Sequence, residues 1–252
     1  DEAYNVAVGY QAGLGVTTAV QNTLIGAVAG QAVTTGANNT ALGHQALKTN
    51  TIGNANVAIG KNAMLTNVAG DTNVAVGYDS LRVMTSATTV DMYNTAVGHS
   101  SGLAVTSGVQ NTLIGGLAGD AITTGANNVA LGYGALSQET EHSNNTAVGT
   151  QSLTSQNAGA NGNNVAVGYR AGFDNETGIN NTVVGSQAFL ENVQGDNNTA
   201  IGCFSLQDFV ADTDGHGNNT AVGARAMLNA TTGTENTALG SLAMGSGVTT
   251  GN

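Results

Sequence analysis

The chain has no proline, no tryptophan, one cysteine and only five Lys and Arg residues among 252, and its net charge is −11. Five cationic side chains are too few to form the basic surface that binds a nucleic-acid phosphate backbone. We therefore expect no nucleic-acid binding. The single cysteine, Cys203, excludes an intrachain disulfide framework. No apolar run approaches the roughly 20 residues of a membrane span, so we expect no membrane insertion by this segment.

Glycine, in contrast, is abundant, with 37 copies, and much of it belongs to one repeated pattern. The pattern is Asn, then Thr or Val, then a small or apolar residue, then Val, Ile or Leu, then Gly. Successive copies lie 17 residues apart, apart from two steps of 21 and one of 19. Such a period indicates a repeat architecture, and we assign residues 1–252 to one elongated repeat domain, a fragment of a longer fibre. The fourteen asparagines are Asn5, Asn22, Asn39, Asn56, Asn73, Asn94, Asn111, Asn128, Asn145, Asn164, Asn181, Asn198, Asn219 and Asn236.

The alternation within each copy predicts a β-strand that has one branched face and one small face made of Asn, Ala and Gly. Seventeen residues minus turns leave room for two strands of about five residues in each coil. The predicted fold class is therefore all-β, a repetitive parallel β-solenoid of about 14 coils of 17 residues. Stacked in register, the Asn and Gly residues form a structural ladder, whose predicted members include Asn22, Asn39, Asn56, Asn73, Asn111, Asn128, Gly26, Gly43, Gly60 and Gly77.

Two further regularities predict how a coil is packed. A second glycine, as at Gly36, follows the pattern glycine by ten residues among Thr and Asn, which predicts a turn with positive φ. Four residues after the pattern glycine stands either Gly or a large apolar residue. Gly13 is followed three residues later by Val16, whereas Leu47 is followed by Asn50. The two arrangements predict one apolar group per coil that fills the same space from either position.

Each coil nevertheless offers few large apolar side chains, so a single chain buries little apolar surface. The small Asn, Ala and Gly face would allow several rods to approach closely along a common axis. The sequence therefore predicts a homotrimeric fibre.

The repeats resemble known fibrous proteins. Asn56-Val57-Ala58-Ile59-Gly60 is similar to the head repeats of trimeric autotransporter adhesins, and residues 5–12 look like the Asn-Thr-Ala-Val-Gly-Tyr-Gln-Ala repeats of phage tail fibres. The resemblance covers nearly the whole chain. It implies a trimer of left-handed β-rolls, an extracellular location on a bacterial cell surface or a virion tail fibre, and a role in attachment.

Enzymatic activity is not expected, because the four histidines fall in different coils and no acids, bases and nucleophiles converge. We predict no cofactor and no metal site. Three functions stay open: an adhesive fibre that binds a host-cell glycan or protein, a tail-fibre spacer without binding of its own, and an ice-binding solenoid with a threonine column. Rings that share the position after the pattern glycine either stack at a corner or contact glycans.

Loops inserted into the longer coils, near residues 82–92, 156–161 and 207–217, are expected to bulge outward. The last of them is predicted to supply the surface contacts. Its candidate residues are Asp208, Phe209, Asp212, Asp214 and His216.

Overall fold

The computed structural model describes residues 3–157, 161–210 and 217–245. It is all-β, a parallel β-solenoid of about 13 turns with a spacing of about 17 residues. Among the described residues there is no helix, and therefore none that could cross a membrane. The chain divides into two compact units, Asp1–Ala126 and Asn127–Asn252.

In the first unit, each copy of the pattern forms one three-residue strand, and the strands pair in parallel in register. Val6 pairs with Thr23, for example, and Val8 pairs with Ile25. Sheet order follows chain order, so each coil stacks on its neighbour. The strands are β1 (Val6–Val8), β2 (Thr23–Ile25), β3 (Thr40–Leu42), β4 (Val57–Ile59), β6 (Val74–Val76), β8 (Thr95–Val97) and β9 (Thr112–Ile114), while β5 (Gly70–Asp71) and β7 (Val90–Asp91) pair separately.

The second unit repeats this arrangement with seven strands, also parallel and in register. Thr146 pairs with Val165, for example, across a coil of 19 residues, so the register survives the longer connection. The strands are β10 (Val129–Leu131), β11 (Thr146–Val148), β12 (Val165–Val167), β13 (Thr182–Val184), β14 (Thr199–Ile201), β15 (Thr220–Val222) and β16 (Thr237–Leu239).

The prediction of two strands of about five residues per coil is wrong. Within the described residues a typical coil has one strand of three residues, and the rest is a chain of turns. After each strand glycine, residues with positive φ alternate with ordinary ones, as at Gln45 (φ 62°) and Leu47 (φ 51°). This alternation bends the backbone tightly. The bent backbone still forms hydrogen bonds to the next coil, for instance from Leu47 N to Ala63 O at 3.0 Å.

The predicted positive φ at the second glycine is also wrong for most copies. Gly36 and Gly53 have ordinary φ, and the positive φ falls two residues later, at Asn38 (φ 60°) and Ala55 (φ 54°). Gly36 is glycine because of crowding: a Cβ there would lie 2.3 Å from Gly53 O in the next coil. The small side chain is required by stacking of the coils rather than by the turn.

The pattern asparagines are joined by hydrogen bonds from coil to coil, and they lie inside the coil. Asn39 is 1% exposed. Its Nδ2 donates to Gly53 O at 2.9 Å, and its Oδ1 accepts from the backbone N of Asn56 at 3.0 Å. The backbone N of Asn39 donates in turn to Asn22 Oδ1 at 2.9 Å. Each asparagine thus satisfies buried backbone groups in its own coil and in the next one.

The face assignment of the strands is corrected by the same burial. The central strand residue, for example Ala41 or Ala58, is fully buried beside the asparagines, so the small face lines the interior of each coil. The branched residues on either side of it point outward. The small face therefore cannot be the surface on which separate chains meet, and the argument for a trimer that was based on it does not hold.

Space inside the coil is shared among three chain positions rather than two. Val16 Cγ2 would lie 3.5 Å from a Cβ built on Gly13, as the Gly and Val pairing predicts. The closer neighbour, however, is the strand residue Leu24, whose Cδ1 would lie 2.9 Å from that Cβ and whose Cδ2 would lie 2.6 Å from a Cβ on Gly30. Leu24 thus fills the volume that two adjacent glycines leave open.

A double-mutant cycle tests this packing. Leu24→Ala should destabilise the protein by about 3 kcal/mol, because a buried leucine is replaced by a cavity. Gly30→Leu alone should also destabilise it, because its Cβ meets Leu24. The combination recreates the Ala41 and Leu47 arrangement of the next coil and should be more stable than either single variant. Denaturant unfolding measures all four proteins, and additive losses would show that Leu24 and Gly30 do not share one space.

Candidate interaction surfaces

The most extensive candidate surface is the outward face of the strands. The third residue of each strand is aliphatic in all fourteen copies, and none of these side chains is buried. Leu42, in β3 of the first unit, is 45% exposed, and Leu131, in β10 of the second unit, is 43% exposed. We call these residues the aliphatic row: Val8, Ile25, Leu42, Ile59, Val76, Val97 and Ile114 in the first unit, and Leu131, Val148, Val167, Val184, Ile201, Val222 and Leu239 in the second.

The first residue of each strand forms a parallel second row, which is Thr or Val. Thr23 and Val57 are half-buried, so their branched side chains stand on the same outward face as the aliphatic row. The predicted threonine column therefore exists as a surface feature, although valine interrupts it at β1, β4 and β6 in the first unit and at β10 and β12 in the second.

A third surface feature consists of the residues that directly follow the strand glycines. We call these residues, taken together over successive coils, the post-glycine column. In the first unit it contains Tyr78 and His99, whose rings are stacked with centroids 5.3 Å apart and an interplanar angle of 8°. Lys61 Nζ lies 5.6 Å from the centroid of Tyr78 on its other side. The predicted ring stack is therefore confirmed for these adjacent coils. Cys203 is an exposed member of the same column in the second unit.

Of the predicted contact residues of the loop at 207–217, the structure describes Asp208 and Phe209. Phe209 is 1% exposed and stacks on Phe189 with centroids 5.9 Å apart, so its assignment to the surface is wrong. It occupies the interior position that holds Val16 or Asn50 in other coils, a signal that alignment of the repeats could have revealed. Asp208 is half-buried, and burial raises the pKa of its carboxyl. Asp212, Asp214 and His216 lie outside the described residues.

Glu139 is a carboxylate that the sequence reasoning missed. It is fully buried. It occupies the same interior position in its coil as Asn50 does in another coil, seven residues after the pattern glycine. Its Oε1 accepts from Thr140 N at 2.9 Å and from His142 N at 3.0 Å, and it lies 2.8 Å from His142 Nδ1. These contacts satisfy the carboxylate locally and close the turn, so Glu139 has a structural explanation.

No cluster of three or more metal-ligating side chains occurs in the part of the chain that the structure describes. Asp120 is a carboxyl whose buried Oδ1 has no hydrogen-bond partner among those residues. Burial raises the pKa of Asp120, since the charged form loses water, and a backbone hydrogen bond offsets this only in part.

The Asp120 carboxyl gives a prediction about pH. Its pKa is higher in the folded than in the unfolded protein, so stability is greatest below the unfolded value and falls as pH rises through the folded value. Asp120→Asn should therefore raise the melting temperature at pH 7, by a degree or two, and the gain should vanish near pH 3. Thermal unfolding followed by circular dichroism at both pH values measures it, and a gain of equal size at pH 3 would contradict this explanation.

Comparison with known proteins adds no relative: no protein-family model, curated protein or solved structure matches the chain. Functional assignment therefore depends on the surfaces themselves.

Proposed function

We propose that this segment is a structural and adhesive part of an extracellular fibre, on a bacterial cell surface or a virion tail fibre. In this proposal three copies associate along the aliphatic row, with the left-handed coils that the repeat resemblance implies, and the fibre holds attachment sites away from its base. No catalytic activity and no cofactor are part of the proposal.

The observation that carries the proposal is the outward aliphatic row. Seven strands spaced about 4.8 Å apart make the outward strand face of each unit about 29 Å long, and the aliphatic row runs along all of it. The row is aliphatic in every copy, whereas the neighbouring row contains both Thr and Val. A contiguous line of exposed apolar side chains is a candidate surface for packing against protein. Association of copies along this row would also supply the apolar burial that a single narrow coil lacks.

The attachment role is tested by deleting loop residues in two coils that have the same length. Residues 212–215 and residues 86–89 each contain four residues, and either deletion returns a 21-residue coil to the 17-residue period. The labelled protein is incubated with cultured epithelial cells and with a panel of Gram-negative bacteria. We expect wild type to bind one of these surfaces, the 212–215 deletion to bind at least fivefold more weakly, and the 86–89 deletion to serve as the matched control.

The outcome also separates the adhesive fibre from the tail-fibre spacer. If wild type binds none of these surfaces, the segment is a spacer and recognition lies elsewhere in the fibre. If both deletions bind as wild type does, attachment is real but the loop at 207–217 is not its site.

Ice binding is a second candidate because the Thr and Val row faces outward on a regular parallel sheet. Thr23, Thr40, Thr95 and Thr112 supply hydroxyls at this position in the first unit. Thermal hysteresis of the purified protein tests this directly. A hysteresis gap that disappears on Thr40→Lys would support ice binding, while its absence in wild type removes this candidate and leaves the fibre proposal.

A further inference from the structure

The post-glycine column contains rings at two different spacings. Tyr78 and His99 belong to adjacent coils and close on each other, with nearly parallel planes. This pair shows that rings in the column can lie face to face along the stacking direction of the coils. A ring that has a small residue in the next coil, and another ring in the coil after that, would therefore face an open slot.

One such slot lies wholly within each unit. In the second unit, Tyr133 and Tyr169 are separated by Thr150, and the two rings are 57% and 49% exposed. In the first unit, Tyr10 and His44 are separated by Ala27, and both rings are exposed. We call these arrangements the ring slots. Their walls are aromatic, and their floors are small side chains held by the strand register.

The coil spacing sets the width of a ring slot. Two strand steps place the wall rings about 9.5 Å apart. A flat aromatic ligand that contacts both walls at about 3.5–4.0 Å requires a separation of only about 7–8 Å between the wall rings. In a wider slot, one face of such a ligand would lack van der Waals contact. A puckered ring is about 2 Å thicker and fills the remaining space. The width therefore favours a saccharide ring over a planar one.

The floor of the slot in the second unit is polar, which also suits a saccharide. Thr150 is exposed there, and backbone bonds from Gln151 N to Tyr133 O (2.8 Å) and from Arg170 N to Thr150 O (3.0 Å) fix its position. The Thr150 hydroxyl can donate to a sugar hydroxyl and accept from one.

We propose that each ring slot binds one pyranose ring of a surface glycan, sandwiched between its two aromatic walls. Two slots on one chain, multiplied by the proposed three copies, would allow weak individual contacts to add up by avidity. The inference rests on the attachment role proposed above and specifies its ligand class. It adds contacts in the coils themselves to those proposed for the loop at 207–217.

The test uses a glycan array of neutral and acidic oligosaccharides with the full chain and two variants. Thr150→Tyr combined with Ala27→Tyr fills both slots with a ring, in the manner of the closed Tyr78 and His99 pair. Tyr78→Ala is the matched control, because it removes an exposed ring of the same column that is not a slot wall. We expect wild type and the control to bind the same saccharides, and the filled variant to bind them at least tenfold more weakly.

A second variant tests whether weaker binding comes from the slots rather than from a change in the fold. Tyr10→Ala, Tyr133→Ala and Tyr169→Ala together remove exposed side chains only, and should also weaken binding at least tenfold. Circular dichroism and solution mass must match wild type for each variant, so a failed slot is distinguished from a failed fibre. The proposal is overturned if wild type binds no saccharide, or if the filled variant binds as wild type does.

Discussion

Gly60→Ala should destabilise the protein by about 3–5 kcal/mol, through overpacking and backbone strain together. Gly60 follows β4 and has a φ of +130°, and a Cβ on it would lie 2.3 Å from Gly77 O. The obstacle is the backbone of the next coil, which is itself fixed by the sheet register. A side chain could move aside, but this carbonyl cannot move without breaking the ladder.

Gly134→Ala is the matched control, because that glycine also has a positive φ, of 63°, but its Cβ would meet only Gln151 Cγ, at 3.8 Å. Other coils carry Gln or Asn at the same position, as at Gln45 (φ 62°). We expect a cost of less than about 1 kcal/mol. Chemical denaturation of both variants gives the comparison, and equal costs would mean that positive φ, rather than the approach of the next coil, determines the need for glycine.

Asn39→Ala should cost about 2–5 kcal/mol, while Asn38→Ala, one residue earlier, should cost less than about 1 kcal/mol. Without the Asn39 amide, the backbone N of Asn56 loses its acceptor and stays buried. Gly53 O loses one of its two donors and keeps Asn50 Nδ2. An unpaired buried group carries a penalty of about 1–3 kcal/mol, and each further lost hydrogen bond costs about 1 kcal/mol.

Asn38 is exposed and has a positive φ of 60°, and Ala55 adopts the same conformation in the next coil. Alanine is therefore compatible with that position. Urea unfolding of the two neighbouring variants measures the difference. A similar loss for both would mean that the asparagine ladder is not the main polar support of the coil.

The period of the repeat was sufficient to predict the fold class and the place of every pattern strand. A period of 17 aligns like residues in successive coils, and the in-register pairing of Thr40 with Val57 follows from it directly. The second strand was predicted wrongly because length alone cannot distinguish a strand from a chain of alternating turns. Positive φ at Leu47 or Met64 has no residue-type signal, since bulky residues seldom adopt it.

The orientation of the strand was the more consequential error. From the sequence, we placed the small residues on an outer contact surface because they fill little volume. A narrow coil, however, has little interior volume, and Ala41, Asn39 and Leu47 together are enough to fill it. Phe209 was misplaced for a related reason: it lies near an inserted loop in the sequence, yet in the repeat it occupies a core position. Spacing within the coil is the better guide to burial.

We propose that the aliphatic row is buried between three copies of this chain. Light scattering of the purified segment measures the solution mass directly, and we expect about 75 kDa, three times the chain mass of 24.9 kDa. Val76→Glu with Val97→Glu places two charges in the row and should shift the mass toward one chain, while Thr35→Glu, at an exposed site outside the row, should leave it at three. A wild-type protein that is folded and has the mass of one chain would contradict the claim.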